Sequence, residues 1–205
     1  GAGGRILSQS SLMLEGGQLQ LGAGSITQAE RIAIDAQHLD NAGGNLSATG
    51  SDMLRLHVAQ RVDNSGGTIA GNGALDVQAG ELINRKGTLS GAGTADGTLQ
   101  ITGALDNHEG TIASNANRLT VTSARLDNRG GSIRQAGNLG LDITTGRLDG
   151  SKGTLVSSAT LTLREAILRA FARNPKIAAA AAQIQVGEAE LDAAKSAWYP
   201  QISLQ

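Results

Sequence analysis

The side chains most able to do chemistry in this chain are aspartates that recur at a nearly fixed interval: Asp40, Asp63, Asp106, Asp127 and Asp149. A file of carboxylates along a repeating structure has two chemical readings. With basic partners it would cleave polysaccharide, and alone it would hold a ladder of calcium ions. Neither reading survives the chemistry. Acid–base catalysis needs groups in different environments with pKa values pushed apart, and identical copies of one group do not supply that. Calcium needs several oxygens converging on each ion, and the calcium-binding G-G-x-G-x-D repeat is absent. Each Asp is therefore read as a solvated turn residue that recurs because the turn recurs. His38, His57 and His108 fall at different phases of the sequence with no HxH or HExxH spacing, and they are read as surface residues. Cysteine is absent, which removes disulfides and thiolate metal sites. The string Gly91–Thr94 lacks the Lys-Ser/Thr of a phosphate loop. No Ser/His/Asp arrangement can be drawn. The expectation is a protein without catalysis, cofactor or metal.

These aspartates sit inside a longer unit. Six segments align over eight positions: Leu39–Leu46 (LDNAGGNL), Val62–Ile69 (VDNSGGTI), Leu82–Leu89 (LINRKGTL), Leu105–Ile112 (LDNHEGTI), Leu126–Ile133 (LDNRGGSI) and Leu148–Leu155 (LDGSKGTL). A weaker copy spans Leu19–Ile26, and the starts step by 20, 23, 20, 23, 21 and 22 residues. The first and eighth positions are aliphatic throughout. The third is Asn in five copies: Asn41, Asn64, Asn84, Asn107 and Asn128. The sixth is always glycine: Gly24, Gly44, Gly67, Gly87, Gly110, Gly131 and Gly153. After a variable stretch comes an alternating run, as in Leu54–Val58, Leu75–Val77, Leu99–Ile101, Leu119–Val121 and Leu139–Ile143.

Period-two alternation marks strands with one buried face. Units this short cannot bury their aliphatic residues alone, so each must stack on the next. The pattern predicts a mainly β fold: a right-handed parallel β-helix of about seven coils. The glycine column marks a corner where φ is positive or the wall is tight. The asparagine column would form a ladder, each amide bonding those above and below. The variable stretches would be surface loops that absorb the changes of period.

The LDN-x-GG-x-[LI] core over residues 4–160 resembles the haemagglutinin repeats of filamentous haemagglutinin and of contact-dependent inhibition stalks. The resemblance implies a rigid shaft, secreted to the cell surface of a Gram-negative bacterium through a two-partner secretion transporter. Its adhesive contact with a host-cell or bacterial receptor would be made by modules absent here. Ile83 in place of Asp, Gly150 in place of Asn, and a first coil lacking both are departures, and those coils should stack less well.

Composition changes sharply near residue 160. The three aromatics (Phe171, Trp198, Tyr199) and both prolines (Pro175, Pro200) all lie beyond residue 163, with only one of the 29 glycines, Gly187. The division expected is a β-helix over 1–160 and a helical tail over 161–205. Thr162 and Glu165 form a capping-box pattern, Asn174-Pro175 restarts a helix, and Lys176–Ala197 is rich in helix formers. Leu161-Thr-Leu163 both completes the last coil's alternation and opens the tail. The tail is similar to the opening of TolC-like outer-membrane efflux proteins in Leu161–Leu163, Glu165–Ile167, Asn174-Pro175 and Pro200–Leu204. That resemblance implies an outer-membrane channel component as the alternative function, with the membrane as partner only if the chain continued into a closed barrel. The first residues, Gly1–Arg5, read as the interior of something longer. A net charge of -1 with no basic cluster argues against nucleic acid as a partner.

Overall fold

The computed structural model describes residues 3–165, and these form a parallel β-solenoid. Each coil contributes one short strand to one sheet and one long strand, or two shorter ones, to a second. The first sheet has eight strands in strict order: Arg5–Leu7, Ile26–Ala29, Asn45–Ala48, Thr68–Gly71, Thr88–Gly91, Thr111–Ser114, Ser132–Gln135 and Thr154–Ser157. Every pairing is parallel, as in Ile69↔Leu89 and Ile112↔Ile133. The coil count is thus eight rather than seven. The additional coil comes first, where Arg5–Leu7 has no Leu-Asp-Asn block before it to reveal it.

The second sheet begins with strands Ser11–Gln20, Arg31–Asp40, Leu54–Asp63 and Leu75–Ile83. From the next coil onward each strand divides in two, as Gly97–Ile101 and Ala104–Asp106, then Arg118–Ser123 and Arg125–Asp127, then Gly140–Thr145 and Leu148–Asp149. Where strands stay continuous the bend is taken up by bulges, between Ala36 and His38 and between Val58 and Arg61. The last strand, Leu161–Glu165, pairs with Leu141–Thr145.

The alternating residues make the core. Leu46, Ile69, Leu89, Ile112 and Ile133 stack from one sheet, and Leu56, Val77, Leu99, Val121 and Leu141 from the other, all at most 1% exposed. No described core residue is aromatic. Layers of branched aliphatics one coil apart, about 4.8 Å, fill the interior without bulky rings. The variable stretches are the connections between the sheets. The two 23-residue steps carry the five-residue loops 49–53 and 92–96, and the 20-residue step from Val62 to Leu82 carries only 72–74.

Two expectations are corrected here. Leu139 does not open its strand; it is 50% exposed, and the strand begins at Gly140, whose φ of 112° turns the chain inward. Thr162 does not cap a helix, because it lies in a strand and pairs with Asp142. The remaining helical expectations, and the strand expected at 201–205, fall outside the described residues.

Candidate functional site

The repeated block folds into a turn at which almost every polar group has a defined partner. The amide N–H of the sixth residue closes back on the carbonyl of the third, as Gly67 on Asn64 and Gly110 on Asn107, both at 3.1 Å. The N–H of the fifth residue donates instead to the next coil, as Gly66 to the Arg85 carbonyl at 2.8 Å.

The asparagines lie at the inner wall of this turn and are at most 1% exposed. Asn41 Nδ2 donates to Asn64 Oδ1 at 2.8 Å, and the same bond follows from Asn64 to Asn84, Asn84 to Asn107 and Asn107 to Asn128, each at 2.7 Å. The second Nδ2 hydrogen donates to a backbone carbonyl of the following coil: Thr68, Thr88, Thr111, Ser132 or Thr154. All five amides therefore point the same way. The ladder stops where the sequence departs from the repeat. Leu21 fills the position before Asn41, whose Oδ1 is buried without a partner. Gly150 fills the position after Asn128, whose Nδ2 keeps only its bond to the Thr154 carbonyl at 3.2 Å.

That C-terminal break carries a prediction. Gly150 is at an ordinary φ, and a side chain there would meet open space. Gly150→Asn should extend the ladder by accepting from Asn128 Nδ2 and should restrict the unfolded chain. Thermal or urea melts should show a gain of about 1 kcal/mol.

The glycine column owes its composition to space, not to φ. Among the column residues only Gly24 has positive φ, 75°. At Gly67, Gly87, Gly110, Gly131 and Gly153 a Cβ would overlap the carbonyl oxygen of the asparagine one coil earlier, and at Gly44 that of Leu21. The left-handed position is the fifth of the block instead. It holds Ala23, Gly43, Gly66, Lys86, Glu109, Gly130 and Lys152, with φ between 51° and 65°.

The aspartate column is more than solvated turn. Asp40, Asp63, Asp106, Asp127 and Asp149 each accept the backbone N–H two residues on, at 2.9–3.2 Å. This is an Asx turn, which pins the entry to the corner. Asp106 also receives Arg85 Nε at 2.5 Å. Asp106→Ala, which would be close to neutral if the column were only solvated turn, should cost about 1 kcal/mol in a urea melt, the usual range for a lost carboxylate cap on a backbone amide.

Several carboxyls are held below the ordinary range. For Asp127 the bonds from Arg129 dominate, and for Asp142 the bond from Arg118 at 2.5 Å does. For Asp63 burial pushes upward but is outweighed by Ser65 and Arg61 together, and for Asp76 burial is outweighed by His57 and Arg55. A depressed folded-state pKa stabilises the fold above the unfolded value of about 3.9, and that contribution is lost as pH falls through the folded value. The melting temperature should be level from about pH 5 to 8 and drop below about pH 4.

The histidines do not come together and are half-buried rather than fully exposed. His57 Nε2 lies 3.3 Å from Asp76, and His108 Nε2 lies 3.7 Å from Glu109, while His108 Nδ1 is buried without a partner. Among the described residues no group of three or more His, Asp or Glu side chains is placed to hold a metal ion. One polar group was not singled out by the repeat. Gln135 is buried at the opposite corner, donates to the Ala116 and Asn117 carbonyls at 2.8 and 2.9 Å, and accepts from Ser157. Its column holds Ala48, Gly71, Gly91 and Ser114 in earlier coils, with no residue type repeated throughout, so no repeat signal announced it.

The geometry is that of a stacked, self-bonding rod. No curated protein and no solved structure matches the chain, and the similarity of 161–205 to TolC-like proteins is without a match. The haemagglutinin repeat model does match, three times in succession, over residues 2–66, 52–109 and 94–170. These matches cover most of the chain, which belongs to the haemagglutinin repeat family.

Proposed function

We propose that this chain is a shaft segment of a secreted bacterial surface adhesin, working by rigidity and not by catalysis. The observation that carries this reading is the eight parallel strands of the first sheet in continuous register, with a buried amide ladder joining five coils along one corner. Such a stack has no hinge between coils and projects whatever lies beyond it. The single aspartates support a non-enzymatic role, since each is engaged with its own turn. The connection rule for parallel strands makes the solenoid right-handed. Secretion through a two-partner transporter and a receptor contacted by other modules complete the proposal.

The test is trypsin shaving of intact source cells, followed by mass spectrometry for the peptide spanning 153–164. Its recovery from the shaved surface or the culture medium supports the shaft. Recovery only from the cytosol would sink it.

A further inference from the structure

The outer face of the second sheet carries a groove in two stretches, which adjoin where Gly80 meets Glu81 and Thr102 nears Ala104. One is lined by Asp35, His57, Gln78, Gln100 and Thr102. The other is lined by Glu81, Ala104, Asp106, Arg125, Arg129 and Arg147 among others. Strand register places His57, Gln78, Gln100 and Thr122 in one row, one residue per coil. The exposed members Gln78, Gln100 and Thr122 thus present hydrogen-bonding groups about every 4.8 Å.

Most charges in the second stretch are matched. Arg85 holds Asp106 at 2.5 Å, and Arg129 holds Asp127 at 2.6 Å with Asp149 at 3.7 Å. Arg125 and Arg147 are the exceptions. Both are exposed, and neither side chain has a hydrogen bond or ion pair among the described residues. They precede the paired Leu126 and Leu148, so they occupy the same place on neighbouring coils. Like charges stacked on adjacent strands repel. On the coil before, the corresponding residue is Ala104, whose short side chain leaves the groove open beside Arg125. A guanidinium fork matches a planar carboxylate with two parallel bonds.

We propose that this groove binds a linear carboxylated polysaccharide, a polyuronate laid along the stacking axis. Its carboxylates sit on Arg125 and Arg147, and its hydroxyls on Gln100 and Thr122. The proposal is independent of the adhesin reading, because it concerns the surface of the rod and not what the rod carries.

The test is affinity electrophoresis of the whole chain through gels containing polygalacturonate. The parent protein should be retarded, less so as salt rises, and fully methyl-esterified polygalacturonate should not retard it. The R125Q/R147Q pair should weaken binding by at least about tenfold, as loss of charged hydrogen bonds implies, with an unchanged β-sheet spectrum. Arg134→Gln, on the first sheet, should bind as the parent does. Absence of retardation, equal retardation by the ester, or full binding by the double variant would each overturn the proposal. Binding to dextran sulfate without binding to polygalacturonate would overturn the carboxylate assignment.

Discussion

Gly110→Val should cost at least about 3 kcal/mol and is expected to disorder its coil. The added Cβ would overlap the Asn84 carbonyl oxygen and would also lie 2.7 Å from Asn107 Oδ1 and 3.0 Å from Asn84 Nδ2. Two of these are ladder groups and the third is backbone, so none can retreat without opening the corner. The measurement is a urea melt followed by circular dichroism. Glu109→Gly is the companion. It replaces a side chain held at φ 53° by the residue suited to that conformation, and it should be neutral or stabilising by up to about 1 kcal/mol despite losing the Lys86 contact at 3.5 Å. A small loss at Gly110 would refute the close-approach account, and a large loss at Glu109 would refute the assignment of the left-handed position to the fifth residue.

The second large effect is expected at the middle of the ladder. Asn84→Ala removes three bonds between coils: from Asn64 at 2.7 Å, to Asn107 at 2.7 Å and to the Thr111 carbonyl at 3.1 Å. It leaves a buried amide hydrogen on Asn64 and a buried oxygen on Asn107 without their partners. Each orphaned group costs about 1–3 kcal/mol, so the total should be about 3–5 kcal/mol. Asn41→Ala should cost less, because Asn41 Oδ1 receives no bond in the parent. Asn84→Asp should not rescue stability, since a carboxylate has no hydrogen to pass on and its charge would be buried. Equal losses at Asn41 and Asn84 would show that the amides act singly and not as a chain.

The repeat announced the fold because its two aliphatic columns are the stacking surfaces themselves: Leu46, Ile69 and Leu89 are spaced as they are buried. Loop lengths were legible for the same reason, since changes of period had to be absorbed outside the core. The turn was less legible. A run such as Asn-x-Gly-Gly offers two glycines, and local sequence does not say which takes positive φ and which makes room. Lys86, Glu109 and Lys152 at the fifth position are the clue, because a column that tolerates long side chains cannot be the crowded one. The first coil was hidden because Arg5–Leu7 is a strand without a preceding block. Leu139 misled because Leu-Gly-Leu alternates perfectly while Gly140 rotates the chain by its φ. Arg125 and Arg147 escaped notice because the position before each block varies freely, through His38, Arg61, Glu81 and Ala104, and only register shows that two arginines become neighbours.

The one-way donation of the amide ladder has a consequence for how such a chain can change length over generations. Each coil inside the ladder, at Asn64, Asn84 and Asn107, offers an acceptor to the coil before it and a donor to the coil after it, so these coils are interchangeable links with a fixed sense. Tandem duplication or loss of a whole 20–23-residue unit, cut at equivalent asparagines, leaves the chain of bonds continuous. A unit whose two ends fall at non-equivalent positions of the repeat breaks it. Length is then a quantity that recombination can adjust by whole links without the fold having to be found again.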